Sequence, residues 1–315
     1  MSTIPDSRRP HRIGIAYMAL AAVTFPVKDS FLKAQDAAVP ALLAIAIYFF
    51  AQMTIGIAGL HVMRNLARRN PFRGMTLMHL VRSLTLTCAL GTFFFSLRYV
   101  PLATAVTLYT LQGLFCIGFG RLILKERVRP RHLGLVIIAT VGVMLVVRPE
   151  SSGAGFGLSL LPLFSGACGG LYIILTRKLG KLESPFQLVT QDGAVAGGSC
   201  MLLFLLSLYT SEAGLSPAPV DLLGIFGPPV AAAAIGMISS LAMIKAAQLA
   251  PAAKLAPASY LEIASGTLIG IFVFGEFLDW LTLSGIVIIV GVCLTNSLLN
   301  EIEAQNTTGG RRSEM

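Results

Sequence analysis

RYVPLATAVTLYTLQGLFCIGFGRLILKE, residues 98–126, and QLAPAAKLAPASYLEIASGTLIGIFVFGE, residues 248–276, read as two copies of one apolar segment set 150 residues apart. Pro101 aligns with Pro251, Ala103 with Ala253, Leu111 with Leu261, Gly120 with Gly270 and Glu126 with Glu276, without a gap. Leu, Ala and Gly coincide in any two lipid-facing helices, so the Pro at one end and the Glu at the other carry the comparison. Pro101 and Pro251 suit helix starts, where a missing N–H costs little.

Working outward from this pair, composition sets the class. Of 315 residues, 55% are hydrophobic and 12% are Asp, Glu, Lys or Arg, about half the charged fraction of a soluble domain. Apolar stretches lie at 13–32, 41–63, 75–97, 101–124, 132–148, 157–176, 188–209, 222–246, 252–275 and 281–299. Most reach the roughly 20 helical residues that span a hydrocarbon core. None alternates apolar and polar residues as a membrane barrel does. The expected fold is an all-α integral membrane protein of ten transmembrane helices. Gly227, Pro228 and Pro229 blur the start of the eighth.

Charge placement sets the orientation. With the N-terminus in the cytoplasm, 16 Lys and Arg fall in cytoplasmic connections and tails and 3 (Lys33, Arg98, Arg148) on the other side. This positive-inside bias puts both termini in the cytoplasm and speaks against nucleic acid as the reason for the net charge of +9. Five helices is an odd number, so the second half is inverted. KERVRPRH after helix four is strongly basic, whereas GEFLDWLT after helix nine has two acids and no base. The organisation is an N-terminal tail 1–12, a first repeat 13–148, a second repeat 157–299 and a C-terminal tail 300–315, as two inverted five-helix repeats. Inverted repeats rocking around a midplane site are the architecture of secondary carriers.

The remaining composition excludes other classes. The five Cys lie inside apolar spans without a CxxC pair, the four His show no ligand spacing, and there is no phosphate-binding loop. No metal, cofactor or nucleotide hydrolysis is implied, and no nucleophile–base constellation suggests an enzyme. SRRPHR before the first span reads as a retained anchor, not an export signal.

LRYVP at 97–101, LKERV at 124–128 and FGE at 274–276, with the inverted topology, resemble the drug/metabolite transporter superfamily, in particular proteins with two EamA domains. FPVKDSFLK at 25–33 and TRKLGKLESP at 176–185 are similar to a bacterial branch of it. The resemblance covers residues 13–299. It implies a single-chain secondary carrier in the inner membrane with a cavity between its halves. The solute is a small organic metabolite, and H⁺ coupling or solute exchange is open. Export of an amino acid or related metabolite is the first reading. Uptake of a vitamin or nucleoside-like compound, of the riboflavin or S-adenosylmethionine type, is the second. A non-transporting receptor or assembly factor is the alternative from another class.

Polar groups at depth mark the site, because a charge at the bilayer centre costs at least about 2.5 kcal/mol. Glu262 lies near mid-membrane, opposite Gln112 in the other copy, and Lys254 replaces Thr104. These asymmetric positions of a matched pair are where a specific ligand would be read. Tyr109, Tyr260, Ser259 and Thr110 add hydroxyls and rings. Glu262 is then a proton carrier or a counter-charge for cationic cargo, unless it pairs with Lys254 or Arg82. Asp29 is expected to line the outer vestibule or pair with Lys33 at i, i+4, and Lys28 to snorkel. Arg82 meets an anion or snorkels, and Asp192 is an interface residue. Glu126 and Glu276 organise their turns. Pro257 would kink helix nine beside Glu262 as a hinge.

Overall fold

The computed structural model describes residues 8–36, 38–62, 72, 74–123, 134, 137–139, 141–142, 145, 156–179, 184–210, 222–249, 258, 261–292, 294–295 and 298. Its elements are α1 (Arg8–Lys33), α2 (Ala41–Val62), α3 (Leu77–Ser96), α4 (Leu102–Thr110), α5 (Gln112–Ile123), α6 (Phe156–Ser159), α7 (Leu161–Leu179), α8 (Pro185–Thr210), α9 (Leu222–Leu249) and α10 (Leu261–Phe274). The short helix Trp280–Val292 follows as α11. Among the described residues every regular element is a helix and there is no strand.

Among the described residues, seven stretches are long and apolar enough to cross a membrane: Ile13–Lys33, Ala41–Val62, Leu77–Ser96, Leu102–Ile123, Gly157–Thr176, Pro185–Tyr209 and Leu222–Ala246. They agree with the sequence boundaries within a few residues, and the chain is a multi-pass membrane protein. Outer faces carry Leu202, Leu203, Leu205, Phe272 and Val273, all exposed. In water such a surface would drive association; in lipid it is solvated. Most of expected span 132–148 lies outside the described residues.

α1 packs chiefly on α9, α2 on α8, α3 on α7, and α4 on both α7 and α10. The main core joins Tyr48 and Phe49 of α2, Phe93 and Phe94 of α3, Val106 of α4, Ala196 of α8 and Ala232 of α9. A second cluster holds Leu108, Leu111, Ile263 and Ile289, where α4, α10 and α11 meet. Close approach requires a glycine at Gly166, where a β-carbon would stand 2.8 Å from the Tyr109 carbonyl oxygen. At Gly118, by contrast, a β-carbon would meet open space among the described residues.

Prolines inside the membrane helices leave carbonyls without their usual donors, and for Pro26 and Pro228 a side chain from outside the helix supplies the replacement. Pro26 in α1 frees the Ala22 carbonyl, which accepts from Ser265 Oγ of α10 at 3.2 Å. Pro228 frees the Gly224 carbonyl, which accepts from Gln35 Nε2 at 2.8 Å. The start that Gly227, Pro228 and Pro229 blur in the sequence is thus resolved, and α9 is helical from Leu222 to Leu249. By contrast, the fourth span is interrupted at Leu111, whose N–H turns back to the Leu108 carbonyl. Tyr109 and Gln112 flank this break.

Candidate functional site

Three clusters of charge lie within the bundle. The first is closed. Arg82 of α3 has no exposed surface, and its Nη2 donates to Asp192 Oδ1 of α8 at 2.8 Å. Ser83 Oγ donates to the same oxygen at 2.5 Å, and Tyr172 of α7 donates to Oδ2 at 2.9 Å. The guanidinium also sits 5.4 Å from the centre of the Tyr172 ring. Desolvating two charges is costly unless geometry and extra hydrogen bonds compensate, and here both carboxylate oxygens are engaged. Arg82 thus meets Asp192, not Glu262, and does not snorkel.

A second cluster lies toward the other end of the bundle. Lys33, in the last turn of α1, pairs with Glu276 just beyond α10. Lys33 also reaches the Val100 carbonyl at 3.4 Å. Glu276 accepts the Leu102 N–H at 2.9 Å and the Ala103 N–H at 3.5 Å. The N-cap of α4 is Pro101, which has no side-chain cap, so a carboxylate 174 residues away does the capping. Glu276 organises the start of α4 more than its own turn. The expected Asp29–Lys33 pair is not formed, because Lys33 is drawn to Glu276.

Between these lies the third cluster. Lys28 and Asp29 of α1 are each 3% exposed and form an ion pair at 2.6 Å. The ammonium faces a cage of rings, 4.9 Å from the Phe94 centroid, 5.4 Å from Phe25 and 5.8 Å from Tyr48. The rings' negative faces replace part of the lost hydration. Glu262, 8% exposed in the first turn of α10, shares the field of Asp29 and Lys28. Among the described residues its carboxylate makes no hydrogen bond or ion pair. Tyr109 lies in the same field, stacked 5.3 Å from Phe93. Its hydroxyl and Gln112 Oε1 face Gly169 of α7, each within 3.0 Å of where a β-carbon would stand.

The structure therefore brings together Glu262, Asp29 and Tyr109, with Gln112 one helical turn from Tyr109, and sets Arg82 apart. Tyr260, Ser259, Pro257, Lys254 and Glu126 lie outside the described residues. Sequence reasoning missed two participants. Lys28 passed for a snorkelling residue because it lies one and a half turns from the end of its helix; two of the three rings enclosing it, Tyr48 and Phe94, come from other helices. Gln52, buried in α2, carried a readable signal, being the lone amide in a 22-residue apolar helix. Its Nε2 has no hydrogen-bond partner among the described residues.

Residues 12–148 match the EamA-like transporter family. The pseudopaline exporter CntI of Pseudomonas aeruginosa is 26% identical over 183 residues, 58% of this chain and 63% of the relative. A riboflavin transporter of Rhizobium johnstonii is 30% identical over 107 residues, 34% of this chain and 35% of the relative. The matches thus span under two thirds of these relatives' lengths. A solved structure described only as a crystal structure of a protein superposes with a TM-score of 0.62 at 18% identity, covering 93% of this chain and 97% of that one. That likeness concerns the fold.

Proposed function

With residues 12–148 belonging to the EamA-like transporter family, we propose that the chain is a secondary active transporter moving a small organic metabolite across the cytoplasmic membrane by alternating access. The observation that carries this reading is the central cluster: one ammonium and two carboxylates, buried among α1, α2, α3 and α10, with Glu262 lacking a partner among the described residues. A purely structural role would favour a balanced network such as Arg82–Asp192. An unbalanced one favours a cargo cation or a proton at Glu262. The relatives' transport of small solutes agrees with this reading.

The finer layout is part of the proposal. Ten helices in two inverted repeats, 13–148 and 157–299, with both termini cytoplasmic, are supported by how the helices pair. Exchanging the two halves turns the α1–α9 contact into the α7–α3 contact and leaves α2–α8 and α4–α10 unchanged. Arg82–Asp192 and Lys33–Glu276 each tie one half to the other, toward opposite ends. In this reading they are the two closures that alternate, and the described state has both shut. Export is favoured over uptake by the relative with the largest matched share, itself an exporter.

The test is flux. Cells expressing the chain and cells with an empty vector are compared for intracellular and extracellular metabolites by untargeted mass spectrometry. A compound redistributed only by the chain supports the carrier and gives its direction. Identical profiles, with a partner protein co-purifying, would instead support a receptor or assembly factor.

A further inference from the structure

Gly236, midway along α9, has three polar side chains pressed against it. A β-carbon built there would lie 2.7 Å from the Tyr48 hydroxyl, 2.9 Å from Gln52 Nε2 and 2.9 Å from Cδ of Lys28. Only a glycine lets an ammonium-bearing chain, an amide and a phenol gather at one point on a helix surface. All three residues are buried, at 2–4% exposure. Within the bilayer a polar group must find its partner inside the protein or in a ligand. Yet the Gln52 amide nitrogen donates to nothing among the described residues. Leaving such a donor unmet is costly, and a purely structural amide would relieve that cost by finding a partner.

We propose that Lys28, Gln52 and Tyr48, converging on Gly236, form a subsite that binds a carboxylate of the transported solute. This rests on the reading of the chain as a carrier. The Gln52 amide nitrogen and the Tyr48 hydroxyl can both donate here, while the Lys28 chain passes with its Cδ and carries its ammonium on to Asp29; an ammonium with an amide N–H₂ and a hydroxyl matches a planar monoanion with two oxygens. A dianion such as phosphate fits poorly. The single Lys charge is already half-committed to Asp29, and Glu262 lies in the same field. Cargo binding would transfer Lys28 from Asp29 to the solute, while Glu262 faces the solute's cationic end. The cargo class is accordingly an amphoteric molecule with a free carboxylate and a protonated nitrogen.

The full-length chain in lipid nanodiscs is incubated with a small-molecule extract of the cells that express it. A parallel sample receives the same extract after methyl esterification, and retained compounds are identified by mass spectrometry. The expected result is retention of carboxylates from the native extract and at least tenfold less of them after esterification. Gln52→Leu and Gly236→Ala should lower retention at least tenfold, whereas Gly198→Ala, at a position with open space around it, should not. Gln52→Leu separates binding from structure. It removes an unmet donor, so the thermal midpoint should hold or rise while retention falls. Three outcomes overturn the subsite: retention of compounds without a carboxylate, indifference to esterification, or undiminished retention by Gln52→Leu. In these three the carrier reading stands, since solute is still held. Retention of nothing by the wild type also overturns the subsite, and the flux comparison then judges the carrier reading separately.

Discussion

Arg82 and Glu262 are both charged and buried, but they differ in what surrounds them, and substitutions should separate them. Removing one partner of a buried pair strands the other charge at about 3–5 kcal/mol, whereas replacing both with apolar groups of similar size is often neutral. Arg82→Met should therefore unfold at a clearly lower temperature in lipid nanodiscs, and the double variant Arg82→Met/Asp192→Leu should recover most of that loss. Glu262→Gln should leave the midpoint within a few degrees of wild type, because its carboxylate makes no hydrogen bond among the described residues. The sequence singled out Glu262 by its mismatch with Gln112, and the structure buries it. Lys28 was not legible, because a Lys near a helix end snorkels by default and three rings from three stretches of chain decide otherwise here. The partner of Arg82 was hidden too, since Asp192 lies 110 residues away.

At the level of elements, the ends and breaks of helices carry most of what is specific. Glu276 both neutralises Lys33 and caps α4, and an N-terminal cap contributes about 0.5–2 kcal/mol. Glu276→Ala should accordingly lower the thermal midpoint more than Lys33→Ala does. Equal losses would mean that only the ion pair counts. The link between α1 and α10 at Ala22 and Ser265 offers another check. Ser265→Ala leaves the Pro26-freed carbonyl without its donor, and Pro26→Ala in the same chain restores an N–H to it, so the second change should offset the first in stability measurements. Helix boundaries were legible because lipid demands long apolar runs, and Pro101 correctly marked a start. That the cap of α4 comes from the other half was not legible, since no local pattern encodes a contact 174 residues distant. The start of α9 at Leu222 agrees with the span read from 222; that the helix runs unbroken through Gly227–Pro229 was not legible, because Gln35, which donates to the carbonyl freed by Pro228, is 189 residues away.

For the molecule as a whole, membrane class and the positions of the described spans followed from composition, whereas the inverted pairing of halves, read from the duplicated segment, stands as part of the proposal. The orientation rests on the Lys and Arg distribution and is open to labelling. In a variant without the native cysteines, Phe277→Cys, at an exposed position between α10 and α11, should react with a membrane-impermeant maleimide in intact cells. Phe72→Cys, between α2 and α3, should react only after permeabilisation. The reverse pattern would invert the topology. The central claim is that the Glu262 carboxylate, without a partner among the described residues, handles the cargo. It is tested most directly by comparing the metabolites moved by wild type, Glu262→Gln and empty vector at matched membrane levels. The account predicts a compound whose distribution shifts with the wild type and returns to the vector value with Glu262→Gln. A shift of equal size with Glu262→Gln would contradict it.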